Sequence, residues 1–166
     1  MGQAQDPYQV RFSLIGDRIL HSHPKGFANS EITRQSFQLV RHVGRHLLEK
    51  HPSYIQIENF TSRNGFTSHA IHTFIRFLQK QPPLHALIFY GVPALTALSI
   101  KIATKLYIAR YPVKVASSYQ ETVLMAVQLS GAKDTPPLQD NQTGSYDISR
   151  KETRAPEYGQ LYRDKE

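Results

Sequence analysis

Hydrophobic and polar residues alternate loosely from Tyr8 to Ile15, with Val10, Phe12 and Leu14 as strand formers. Gly16-Asp17 interrupts the run, and Ile19 and Leu20 resume it between Arg18 and His23. Two short runs joined by a Gly-Asp pair predict a β-hairpin, with a II′ turn as plausible as I′. The period then becomes helical. Ile32, Phe37, Val40, Val43, Leu47 and Leu48 recur on one face of a long helix, with Asn29 or Ser30 as its N-cap and Pro52 closing it. Its other face carries Arg41, His42, Arg45 and His46.

Tyr54 to Ile57 alternates as a strand, and the polar stretch Asn59 to Gly65 follows as a loop. Ala70, Ile71, Phe74, Ile75 and Leu78 predict a second helix, stopped at Gln81-Pro82-Pro83. Leu84 to Tyr90 is nearly all apolar, as a strand buried on both faces requires. Gly91 turns the chain, and Pro93 suits the first turn of a third helix running to about Arg110. Val113 to Ala116 reads as a last strand and Tyr119 to Leu129 as a last helix. The order ββαβαβαβα predicts an α/β fold, a mainly parallel sheet with an N-terminal antiparallel hairpin and helices packed against it. Residues 1–130 then form one domain. Residues 131–166, with Pro136-Pro137 and mixed charges, read as a polar linker or disordered tail.

Charge sharpens this division. From Gly131 onward the chain holds six Lys/Arg against seven Asp/Glu, which leaves 14 against 6 before it, a net of +8 on the folded part. That favours an acidic partner of some kind. The chain has no cysteine, which removes disulfides, thiolate metal sites and thiol nucleophiles. No apolar run approaches the roughly 20 residues of a membrane span. The polar N-terminus lacks a signal-peptide core, so the expected location is the cytoplasm.

Catalytic motifs are missing. There is no phosphate-cradling loop, nucleophile elbow or paired-carboxylate spacing, and the expectation is a non-enzyme with no cofactor. His42 and His46, His69 and His72, and His21 and His23 have spacings that share a face, but no carboxylate or thiolate stands near them, so no metal is expected. Arg34, Arg41, Arg45, Lys101, Lys105 and Arg110 could form a basic stripe for nucleic acid. No reading helix or RNA-binding signature accompanies it, and nucleic-acid binding ranks as the alternative. Open α/β sheets bind at strand C-termini, where Asn59, Thr61, Ser62, Tyr90 and Gly91 converge as the candidate ligand- or partner-binding residues. Ser62, Thr67 and Ser68 lie near a helix N-terminus that would favour an added phosphate, and are the candidate phosphorylation sites.

The element order and three segments carry a family likeness. These are Tyr54 to Phe66 (YIQIENFTSRNGF), Leu87 to Val92 leading into Leu95 to Ala103, and Tyr111 to Val115 followed by Tyr119 to Thr122. Over residues 8–129 the chain resembles the STAS domain, the fold of anti-sigma-factor antagonists, as found at the N-termini of bacterial sensor kinases. The resemblance implies a sensory or protein-interaction module in bacterial signal transduction, acting through a regulatory protein, a fused output domain or a small ligand. A homodimer is compatible with it. The family's phosphorylatable serine sits in a D-S-S-G-like loop. Placing Asn64 at its aspartate puts Gly65 at the serine, and only a shifted alignment brings Thr67 or Ser68 there. Glu58 would stand for the family's acidic residue. The expected variant therefore works without phosphorylation.

Overall fold

The structure is a computed structural model that describes residues 8–66, 68–80, 84–106, 110–131 and 141–147. Its elements are β1 (Gln9–Ile15), β2 (Ile19–Ala28), α1 (Ser30–Leu48), β3 (Tyr54–Asn59), β4 (Arg63–Phe66), α2 (Ser68–Lys80), β5 (Leu84–Tyr90), α3 (Ala94–Lys105), β6 (Val113–Ala116), α4 (Tyr119–Ser130) and β7 (Asn141–Asp147). One sheet runs β6-β5-β3-β2-β1-β7, and β4 pairs with β2 off this path. The β2-β3, β3-β5 and β5-β6 pairs are parallel, while β1 is antiparallel to both β2 and β7. The α/β class, the opening hairpin and the parallel remainder agree with the sequence pattern. Two strands go beyond it. β4 occupies part of the expected Asn59–Gly65 loop, and β7 lies inside the segment expected to be linker or tail.

Local chemistry sets the element ends. β1 and β2 pair from Ile15↔Ile19 outward, so Gly16, Asp17 and Arg18 make the turn, with Gly16 at φ 61°. The N-cap of α1 is Asn29, whose side-chain oxygen accepts the Ile32 amide at 2.9 Å. At α4, Ser118 Oγ accepts the Glu121 amide at 3.2 Å, and Glu121 in turn accepts the Ser117 amide and hydroxyl. Those donors hold the Glu121 carboxyl below its usual range.

The sheet has two unlike faces. Tyr8, Val10, Phe12, Leu20, Tyr54, Leu87, Phe89 and Val113 join one core with Phe37, Val40, Val43 and Leu47 of α1, Phe77 of α2 and Ile100 of α3. Ile15, Ile19, Ile55, Ile57, Ala86, Ile88 and Ala116 join another with Val123, Ala126 and Val127 of α4. The alternation of each strand sends successive residues to opposite cores.

Gly44 shows how tightly α1 lies on the sheet. A Cβ built there would overlap the phenol of Tyr54, from its ring carbons to its hydroxyl. Alanine is ordinarily the better helix residue by about 1 kcal/mol. Here Gly44→Ala should instead lower stability by about 1–3 kcal/mol through overpacking. Urea denaturation would show it, and a stabilised variant would contradict this packing.

Tyr54 also makes alkaline stability a readout. Burial, with the nearby Glu58 charge, raises its phenol well above the usual range, and burial raises Tyr111 likewise. Above about pH 10 the unfolded phenols ionise while the folded ones stay protonated. The folded state then binds more protons, so stability is full below that pH and falls as pH rises past it. Melting temperatures from pH 8 to 11 should fall more steeply for the wild type than for Tyr54→Phe/Tyr111→Phe. Equal slopes would contradict the assignment.

Candidate functional site

The parallel ladder between β2 and β3 ends at Ser22↔Glu58, and β2 next pairs with β4 from Gly26↔Arg63. Between them the sheet forks. Pro24 sits in β2 within this gap and brings no N–H to a ladder. Across the gap the chain leaves the sheet through Phe60, Thr61 and Ser62, then rejoins it as β4. Four hydrogen bonds fix this loop. The Phe60 amide donates to the Tyr90 carbonyl at 2.9 Å, and the Gly26 amide to the Ser62 carbonyl at 3.1 Å. The Asn59 side-chain oxygen accepts both the amide and the hydroxyl of Thr61, at 2.9 and 2.6 Å. Gly91, at φ +68°, lies so close to Thr61 that a Cβ would overlap its methyl and backbone.

A chain of polar and aromatic groups lies on the α4 side of the fork. His21 Nε2 is 3.0 Å from the Tyr90 hydroxyl. Its ring stacks on Tyr119, the first residue of α4, with centroids 5.3 Å apart, and lies 3.8 Å from the ring of His23. His23 lies 3.1 Å from Ser13 Oγ through Nε2 and 3.4 Å from Asn59 Nδ2 through Nδ1. Ser13, His23 and Asn59 thus have the order of a nucleophile, base and orienting amide. The proton bookkeeping opposes that role. Thr61 fixes the amide so that its nitrogen faces His23 and donates to Nδ1. The ring proton of a neutral His23 is then on Nε2, which donates to Ser13 instead of taking its proton. Ser13 is also buried.

The α1 side carries a buried carboxylate. Glu58 accepts the Ser22 hydroxyl at 3.1 Å and the Gln56 amide at 2.6 Å. These bonds offset the desolvation that an isolated buried carboxylate would suffer. Phe60 covers the fork on this side, edge-on to Phe89.

The structure brings together the five residues expected at the strand ends, in two layers. Asn59, Thr61, Ser62 and Gly91 are partly or fully exposed at the rim. Tyr90 is buried beneath them, with its hydroxyl against His21. Of the candidate phosphorylation sites, Ser62 is exposed in the turn before β4. Thr67 and the side chain of Ser68 lie outside the described residues. Ser13, His21, His23 and Tyr119 are the members that sequence reasoning does not place here. The only signal is the i, i+2 spacing of His21 and His23, which on its own reads as metal-ligand spacing. Among the described residues no group of three or more His, Asp or Glu side chains is placed to hold a metal ion. The basic residues of α1 and α3 lie apart, since α1 packs over β2 and β3 and α3 over β6. Arg34 pairs with Glu31, and Arg41 donates to the Lys80 carbonyl and lies over Phe77.

No family model matches the chain, and no curated protein is a significant match. Among solved structures, the fold is similar to the crystal structure of an uncharacterised DUF3478-family protein from Shewanella loihica PV-4, described as having a SpoIIAA-like fold. The TM-score is 0.56 at 13% identity, over 75% of this chain and 99% of that one. No helix among the described residues is long and apolar enough to cross a membrane. The parallel sheet, its opening hairpin and its flanking helices are therefore those of a SpoIIAA-like, or STAS-like, fold.

Proposed function

We propose that the protein is a non-catalytic sensory module of bacterial signal transduction, working in the cytoplasm, and that it binds a small polar ligand at the fork of its sheet. The observation that carries this reading is the break in the ladder between Ser22↔Glu58 and Gly26↔Arg63. It leaves Thr61 and Ser62 exposed at strand C-termini, where open α/β sheets bind ligands. Thr61, Ser62 and the Gly91 backbone face outward over a floor made by Tyr90, His21 and Tyr119. The tautomer that Asn59 imposes on His23 supports binding over acyl-transfer chemistry.

Native mass spectrometry of the freshly purified chain tests the reading. The expected spectrum contains the chain with a retained small molecule, and Asn59→Ala/Thr61→Val should lose that molecule while staying folded by circular dichroism. Bare chain in every preparation, or an adduct that survives the double substitution, would contradict the proposal. An added phosphate, about 80 Da heavier, would instead direct attention to Ser62.

A further inference from the structure

Helix α3 is apolar on two sides and covered on one. Its inward side is Ile100, buried, with Thr96, Ala97 and Thr104 half-buried. The other side carries Leu95, Leu98 and Ile102, continued by Leu106 at the C-cap, with exposures of 78%, 53%, 51% and 67%. These fall at i, i+3, i+7 and i+11, one stripe about 16 Å long at 1.5 Å per residue. Single exposed aliphatics are ordinary, but a row of four on one helix marks an interaction surface.

The charge on α3 and on its neighbours in sequence has one sign. From Asn59 to Gln120 the chain contains no Asp or Glu, while Arg63, Arg76, Lys80, Lys101, Lys105, Arg110 and Lys114 all fall in that span. Lys101 and Lys105 are exposed on α3 itself, and Arg110 and Lys114 are exposed on the segment that follows it. β7, with its Asp147, is at the opposite edge of the sheet from β6 and α3.

We propose that the α3 stripe docks an amphipathic helix of a partner protein, with Leu or Ile at helical spacing and Asp or Glu along its flanks. The stripe is one residue wide per turn, which suits the anchor pattern of a helix laid against a helix. A bilayer-surface helix commonly sets Trp or Phe beside Leu on its apolar face, and α3 has no aromatic residue to anchor it in that way. A second copy of this chain would set Lys101 and Lys105 against a surface equally basic, whereas an acidic partner meets complementary charge. The stripe shares no residue with the fork, so this proposal stands or falls independently of ligand binding there.

The test is selection of a displayed library of helical peptides on the full chain, with counter-selection on Leu98→Glu. Leu98 is exposed, so that variant should keep its circular dichroism and melting temperature. Enriched peptides should carry Leu or Ile at i, i+3 or i+4, and i+7, with an excess of Asp and Glu. A synthetic peptide of the enriched sequence should bind at least about tenfold more weakly to Leu98→Glu and to Ile102→Glu, as for residues at an interface centre. Its affinity should fall with added salt, and Lys101→Glu/Lys105→Glu should invert its charge preference. Asn59→Ala/Thr61→Val should bind it unchanged. Four results would overturn the proposal: no enrichment over Leu98→Glu, enrichment without acidic residues, binding to phosphatidylglycerol vesicles that Leu98→Glu abolishes, or self-association that Leu98→Glu abolishes.

Discussion

The interior of this sheet contains polar groups that cost free energy wherever they are left unpaired. His21 and Ser22 occupy the centre of β2, and Gln56 and Glu58 the neighbouring strand, all buried. A buried polar group without a hydrogen bond costs several kcal/mol at the upper end of measured scales, and a buried charge more. The ladder therefore has to hold in register up to Ser22↔Glu58, which places the Ser22 hydroxyl on the carboxylate. A one-residue slip of β2 would send Ser22 into the α4 core and leave Glu58 without that donor. Beyond this point Pro24 ends the obligation to pair, and the sheet opens. The fork is thus the natural end of a strictly registered ladder.

The same register decides what lies under the fork. Alternation puts His21 and His23 on the α4 side, within reach of Tyr90, Tyr119, Ser13 and Asn59. Five elements contribute to this layer: β1, β2, β3, β5 and the start of α4. A group touching the rim at Asn59 or Thr61 would press on side chains that span the sheet. The turn Gly91 to Pro93 leaves this layer and leads directly into α3, so the fork and the exposed apolar stripe share one short connection.

How far the sequence foretold this depends on what kind of contact builds each part. The apolar run of β5, the helical spacing of α1 and the opening hairpin were legible because side-chain burial sets them. β4 (Arg63-Asn64-Gly65-Phe66) and β7 (Asn141 to Asp147, NQTGSYD) were not, because they are short, polar or Gly-containing segments held by backbone pairing to a strand already in place. β2 proved longer than expected because Pro24, which normally ends a strand, lies where the ladder to β3 has lapsed. The rim residues Asn59, Thr61, Ser62 and Gly91 were legible from strand-end topology. Their floor was not, since Tyr119 reaches His21 only through the fold, across 98 positions of chain.

Ligand recognition at the fork is tested most directly by backbone amide NMR of the isotope-labelled full chain during titration with a library of small polar fragments. Fragments that bind should shift the amides of residues 59–62, 90–92 and 117–119, with Asn59→Ala/Thr61→Val suppressing those shifts. Fragments that bind with shifts confined elsewhere, or a library in which nothing perturbs these amides, would contradict it.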